Sequence, residues 1–168
     1  GEPELTNAGY ANAKIEAIHF LDLVRREKHL NWGTCMPTNV LGFEHNFDLD
    51  SHVIPSLIRK FHLANLNSLS EVQIWGDGTA VREFIYNIDL GLAVNHISKM
   101  ERFPFLINVG SNQPISIKEI AIRLGKLMNF GGEIIFDTSK PNGHPNKSLN
   151  SSILFESGWR PSYDLDTL

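Results

Sequence analysis

A chain of 168 residues, 42% hydrophobic and 20% charged, is long enough for a domain with its own core and ordinary for a globular protein. Its net charge of −4 and its scattered Lys and Arg residues exclude a dedicated nucleic-acid surface, and no apolar stretch approaches the roughly twenty residues of a membrane span. One cysteine, Cys35, excludes an internal disulfide framework and fits a reducing compartment, so a cytoplasmic protein is expected.

Residues 10–28 read as a helix, with Ala11, Ile15, Ile18 and Val24 on one face and Arg25, Arg26 and Lys28 suited to its C-terminus. A strand is expected over Asn31–Met36, then a polar loop from Pro37 to Asp50. Residues 52–66 read as a second helix carrying Val53, Leu57, Phe61 and Ala64. Val72–Trp75 is a short strand closed by Gly76-Asp77-Gly78, and Arg82–Tyr86 is another. Asn87 is the expected cap of a helix bearing Leu90, Val94 and Ile97. Phe105–Val109 reads as a buried strand. Ser116 and Glu119 have capping-box spacing. Behind them Ile117, Ile120, Ala121, Leu124, Leu127 and Met128 step by three and four. Gly131-Gly132 is expected to end that helix before a strand at Glu133–Phe136. Residues 137–150 read as a polar loop, with a last short helix between Asn150 and Gly158. Helices and strands alternate, so the class is α/β. The chain starts almost at a helix, and Asp164–Leu168 has the look of another one opening. A piece of a longer protein is therefore expected.

Five segments carry candidate chemistry. In Tyr10-Ala11-Asn12-Ala13-Lys14 the tyrosine and lysine share a helix face. An ammonium beside a phenol stabilises the phenolate, and such a tyrosine can pass a proton to or from a sugar oxygen. The same spacing also suits a solvated lysine one turn from a half-buried tyrosine. Met36-Pro37-Thr38-Asn39 leaves a strand, where open α/β sheets hold ligands; it also suits a plain turn. His52, within Ser51-His52-Val53-Ile54-Pro55, sits at a helix mouth, as an acid–base group or as a solvated neighbour of the cap. Trp75-Gly76-Asp77-Gly78 with Arg82-Glu83-Phe84 offers a flat apolar wall and a guanidinium fork for phosphate, or a surface hairpin. Lys140-Pro141-Asn142-Gly143 with Lys147 is a loop with two cations.

In this order the segments resemble the second half of an extended short-chain dehydrogenase/reductase. Within that superfamily, Pro37-Thr38-Asn39, Ser51–Pro55, Trp75–Gly78, Arg82–Phe84, Ile107-Asn108-Val109-Gly110 and Phe136–Pro141 resemble the GDP-L-fucose synthase family. The likeness runs from Glu2 to Leu168. It implies a Rossmann-type fold, with residues 1–40 a remnant of the dinucleotide-binding domain. Residues 41–168 are then mostly the smaller mixed α/β substrate domain, with some strands and helices returning to the Rossmann sheet. It implies NADP as cofactor and a GDP-sugar as substrate, epimerised at C3 and C5 of GDP-4-keto-6-deoxy-mannose and then reduced at C4. Tyr10, Lys14 and His52 match catalytic positions. Tyr10, Lys14, Pro37, Thr38, Asn39 and His52 match positions around the cofactor. Asn39, Lys60, Trp75, Arg82 and Lys147 match positions around the substrate, with Lys60 standing where some relatives carry arginine. A homodimer is implied for the intact enzyme, with no metal, nucleic acid or membrane.

Leu41 and Phe43 depart from the family's usual aromatic-Gly-Pro turn. The Gly-x-x-Gly-x-x-Gly cradle for pyrophosphate, the serine before the tyrosine and the acid–base cysteine have no counterpart in this sequence. Cys35 follows the Tyr–Lys helix and does not match that cysteine. The chain alone is therefore expected to be inactive, with Ile15, Ile18 and Phe20 left to pair or aggregate. Two other readings stand beside this one: a non-catalytic nucleotide-sugar-binding module, and another epimerase or dehydratase of the superfamily.

Overall fold

The computed structural model describes residues 7–42, 52–102 and 104–164. The elements in chain order are α1 (Ala8–Lys28), β1 (Thr34–Pro37), β2 (Asn39–Leu41), α2 (Val53–Leu66), β3 (Glu71–Trp75), β4 (Val81–Arg82) and β5 (Phe84–Tyr86). They continue as α3 (Asn87–Ser98), β6 (Leu106–Val109), β7 (Ile115–Ser116), α4 (Ile117–Leu127), β8 (Glu133–Asp137), β9 (Asn146–Lys147) and α5 (Ser152–Glu156). The expected α/β class holds. The strands pair as β1 with β6, β2 with β5, β3 with β8, and β4 between β7 and β9. All these pairs are parallel except β4 with β7, and parallel pairing requires the intervening helical crossovers.

Two apolar cores result. In the first, α2 and α4 lie on β3 and β8, burying Leu57, Phe61, Ala64, Val72, Ile74, Ile120 and Ala121. The α4 periodicity explains this directly: residues three and four apart share a face, and Ser116 accepts the Glu119 N–H at 3.1 Å to start the helix. The Glu119 carboxylate pairs with Arg123 rather than returning to the cap. The second core gathers Ile85, Ala93, Ile97, Ile107, Val109, Leu154 and Trp159 from β5, α3, β6 and the α5 region. Successive strand residues face opposite sides. Phe84 enters the first core and Ile85 the second, and on the paired strand Leu41 and Val40 divide the same way. The β2–β5 pair is thus the layer between the cores.

Several local expectations change. Asn39–Leu41 is a strand, inside the segment read as loop; residues 43–50 and 165–168 lie outside the described residues. Arg82–Tyr86 is not one strand. It breaks at Glu83 into β4 and β5, which join different sheets. Trp75 and Arg82 are not on a hairpin, since among the described residues β3 pairs with β8 and not with β4. Asn87 is the first helical residue of α3 and Tyr86 the cap. Leu127 and Val94 are exposed, on the outer faces of their helices. The α4 helix stops at Met128, followed by Asn129 in the left-handed region, before the two glycines. Finally, no residue of α1 is buried. Its apolar face exists in the sequence, but among the described residues Ala11, Ile18 and Val24 are only half-buried and Ile15 is exposed.

Candidate functional site

Thr38 and Asn39 meet the segment after Arg82 at the seam between the cores. The chain leaves β1 at Pro37, and the Thr38 N–H donates to the Val109 carbonyl at the end of β6. The Thr38 hydroxyl and the Asn39 amide then both donate to one acceptor, the Glu83 carbonyl, at 2.9 and 2.7 Å. The Pro37–Asn39 turn is therefore fixed against the residue that follows Arg82.

Arg82 and Lys147 are register partners in the parallel β4–β9 pair, so their side chains leave the same face of the small sheet. Two guanidinium or ammonium groups on one face suit an anionic ligand. The Arg82 Nη1 also donates to the Val81 carbonyl at 2.6 Å and the His144 carbonyl at 2.8 Å, which ties the guanidinium to the 138–145 loop. That loop reaches the β3 end as well. Asn142 Oδ1 accepts the Asp77 N–H, the Gly76 N–H donates to the Asp137 carbonyl, and the Lys140 ammonium lies 5.8 Å from the Trp75 ring centroid. Trp75 keeps 64% of its surface exposed, an open aromatic face bordered by cations. Hydrogen bonds to the Thr79 hydroxyl and N–H hold the Asp77 carboxyl below its ordinary 3.8, and those to Ser139 do the same for Asp137.

Lys60, on α2, donates to the Gln73 carbonyl at 2.8 Å. Burial lowers its ammonium below the ordinary 10.5. Gln73 lies two residues before Trp75 on β3. His52 is exposed at the start of α2, its carbonyl accepting the Ser56 N–H.

Tyr10 and Lys14 are together, the ammonium 5.3 Å from the phenol ring centroid. They stand near the N-terminal end of α1, whose other end has Arg25 over the Phe105 ring. Fifteen residues of helix separate Tyr10 from Arg25, about 22 Å. Among the described residues neither Tyr10 nor Lys14 hydrogen-bonds to the Pro37–Asn39 turn. The structure thus joins Thr38, Asn39, Trp75, Arg82 and Lys147 through neighbouring backbone, and leaves the Tyr–Lys pair on its own helix. Cys35 lies on β1 beside the second core, and burial pushes its thiol above 9.0. Among the described residues no group of three or more His, Cys, Asp or Glu side chains is placed to hold a metal, and no helix is long and apolar enough to cross a membrane.

Glu83 is the residue the sequence reading passed over. Its side chain is fully buried. One carboxylate oxygen accepts the Asn112 N–H at 2.9 Å and the other the Leu149 N–H at 2.7 Å. The only local signal was a carboxylate placed before the apolar pair Phe84-Ile85.

The chain is similar to known proteins along nearly its whole length. The chain is 43% identical to a GDP-L-fucose synthase of Sinorhizobium fredii over 99% of its length, and 35% identical to one of Escherichia coli, again over 99%. It covers 53% and 55% of those proteins, so it spans about half the length of the curated relatives it matches. Among solved structures, a GDP-mannoheptose C4 reductase of Campylobacter jejuni with NADP bound superposes with a TM-score of 0.83 at 26% identity, over 99% of this chain and 59% of the reductase. Residues 1–110 match the NAD dependent epimerase/dehydratase family as a whole, and the chain belongs to that family.

Proposed function

We propose that this chain is the substrate-side half of an NADP-dependent epimerase–reductase that converts GDP-4-keto-6-deoxy-mannose to GDP-L-fucose. One observation carries the reading. Arg82, in register with Lys147, is followed at once by the Glu83 carbonyl that gathers Thr38 and Asn39. The segments matching the nucleotide-sugar positions and those matching the cofactor positions are thus consecutive in space. The likeness to GDP-L-fucose synthases over 99% of the chain supports the choice of substrate.

In this reading Arg82 and Lys147 take the diphosphate, and Trp75 gives the nucleotide a flat apolar wall. Lys60 and Asn39 complete the substrate contacts. The C4 ketone makes the protons on C3 and C5 acidic. His52, exposed at the α2 mouth, is the acid–base group this chain supplies for inverting those centres. Tyr10 gives a proton to the C4 oxygen during reduction, and the Lys14 ammonium beside it stabilises the phenolate left behind. NADPH, when bound, supplies the hydride. The residues present fit such a cofactor on one side only: the Pro37–Asn39 turn is held rigid by Glu83, and Tyr10 and Lys14 stand exposed and paired. Residues 1–40 are assigned to the dinucleotide-binding domain. Residues 41–168 are mostly the substrate domain, with β5, α3, β6 and α5 returning to the Rossmann sheet in the second core. The intact enzyme is a cytoplasmic homodimer in this reading.

The test is a pair of titrations on this chain, GDP-L-fucose and NADPH separately, read by tryptophan fluorescence. The expected result is saturable GDP-L-fucose binding, lost in Arg82→Ala, with no NADPH-dependent reduction by the chain alone. Failure to bind GDP-L-fucose, or equal binding of ADP and UDP, overturns the substrate assignment. Turnover of NADPH by this chain overturns the expected inactivity.

A further inference from the structure

We propose that Glu83 is a positioning residue of the nucleotide-sugar site, one whose carboxylate sets the place of Lys147 against Arg82. The inference rests on the nucleotide-sugar reading above and adds to it a residue that never touches the ligand.

A fully buried carboxylate is costly to keep unless its oxygens are satisfied. Glu83 has no cation beside it among the described residues. Its partners are two backbone N–H groups from separate loops, Asn112 after β6 and Leu149 after β9. The stitching continues beyond it. Asn112, left-handed at φ 55, accepts the Ser151 N–H on its side-chain oxygen, and the Asn108 amide donates to the Asn150 carbonyl at 2.9 Å. Gly110 leaves the room: a Cβ there would overlap Glu83 Oε1 and come within 3.0 Å of the buried Ser151 hydroxyl.

The placement gives this staple its consequence. The β4–β9 ladder pairs Val81 with Asn146 and Arg82 with Lys147. The next link is the Glu83 carboxylate itself, taking the Leu149 N–H two residues past Lys147. Only a planar group with two acceptor oxygens joins both loops. A glutamine presents an N–H to one of two N–H donors and must release one of them.

Asp89 supplies a matched control. It too is fully buried, and its two oxygens accept the Ser162 and Tyr163 N–H groups at 2.9 and 3.0 Å. Its partners carry no residue of the site. The experiment measures GDP affinity by calorimetry and thermal midpoint by circular dichroism for the wild-type chain, Glu83→Gln and Asp89→Asn. Glu83→Gln is expected to weaken GDP binding tenfold or more, while Asp89→Asn lowers the midpoint and leaves affinity within twofold. If Glu83→Gln does not fold, Gly110→Ala takes its place, since it keeps the carboxylate and displaces it. Wild-type affinity in the Glu83 or Gly110 variant, or equal weakening in Asp89→Asn, overturns the proposal. If the wild-type chain binds no GDP, the nucleotide-sugar reading falls, and amide exchange then decides the positioning role. Faster exchange at Lys147 and Leu149 in Glu83→Gln, with Val72–Ile74 unchanged, upholds it; unchanged exchange there removes it.

Discussion

Asn142 Oδ1 accepts the Asp77 N–H at 2.7 Å, joining two turns 65 residues apart. The contact depends on Gly76, whose φ of +80 suits glycine and whose missing Cβ leaves space for that same oxygen. Gly76→Ala therefore carries two penalties: a left-handed backbone, about 1–2 kcal/mol, and the overlap with Asn142. Asn142→Ala loses one exposed hydrogen bond, about 0.5–1.5 kcal/mol. Because the second change removes the first one's clash, the double variant is expected to be less destabilised than the sum of the two. Urea unfolding of the four proteins checks this; strict additivity would count against the contact.

The turns at Asp77 and Asp137 predict a pH dependence with a definite sign. Hydrogen bonds to the Thr79 hydroxyl and N–H, then to the Asn142 side chain, hold Asp77 below its ordinary 3.8; the Ser139 hydroxyl and N–H do so for Asp137. As pH falls, the unfolded chain takes up these protons first. The stabilisation is thus complete above the ordinary carboxyl value and lost as pH falls through the lower folded values. The thermal midpoint of the Asp77→Asn, Asp137→Asn double variant should fall less steeply than that of the wild type below about pH 4. Parallel curves would show that the two carboxyls contribute nothing there.

Much of this fold was legible because α2, α4, β3 and β8 each carry their own pattern: apolar steps of three and four, or strict alternation. The failures share a cause. Arg82–Tyr86 reads as one strand because the partners that break it, Asn112 and Leu149, lie far along the chain from Glu83. No local pattern announces them. The α1 face of Ile15 and Ile18 is legible as apolar from its periodicity, and it stays unburied, as expected of a helix lacking its neighbour. The site followed the same division. Trp75, Arg82 and Lys147 are visible as chemistry-bearing residues in short motifs, whereas Glu83, whose carboxylate joins the Asn112 and Leu149 loops, looks in the sequence like one more surface acid.

Gly91 lies inside α3, and a Cβ there meets nothing within 4 Å. Gly91→Ala is expected to stabilise the chain by about 0.5–1 kcal/mol, through the unfolded-state entropy glycine costs a helix. Ser116→Ala should act in the opposite direction by about 1 kcal/mol, since it removes the acceptor for the Glu119 N–H at the head of α4. Urea midpoints measure both. A destabilised Gly91→Ala would mean that the exposed face of α3 is in fact covered in solution.

Cys35 tests whether the thiol of this chain takes part in chemistry. It sits on β1 opposite Ile107, half-buried against the second core. Removal from water disfavours the thiolate and raises the thiol above 9.0. An activated cysteine shows the reverse: a neighbouring cation or helix N-terminus that lowers it. Iodoacetamide should therefore label Cys35 more slowly in the folded chain than in the same chain unfolded in guanidinium at the same pH. Cys35→Ser should keep the GDP-L-fucose affinity of the wild type. Labelling in the folded chain as fast as in the unfolded one would point to a reactive thiol on β1, against the burial seen there.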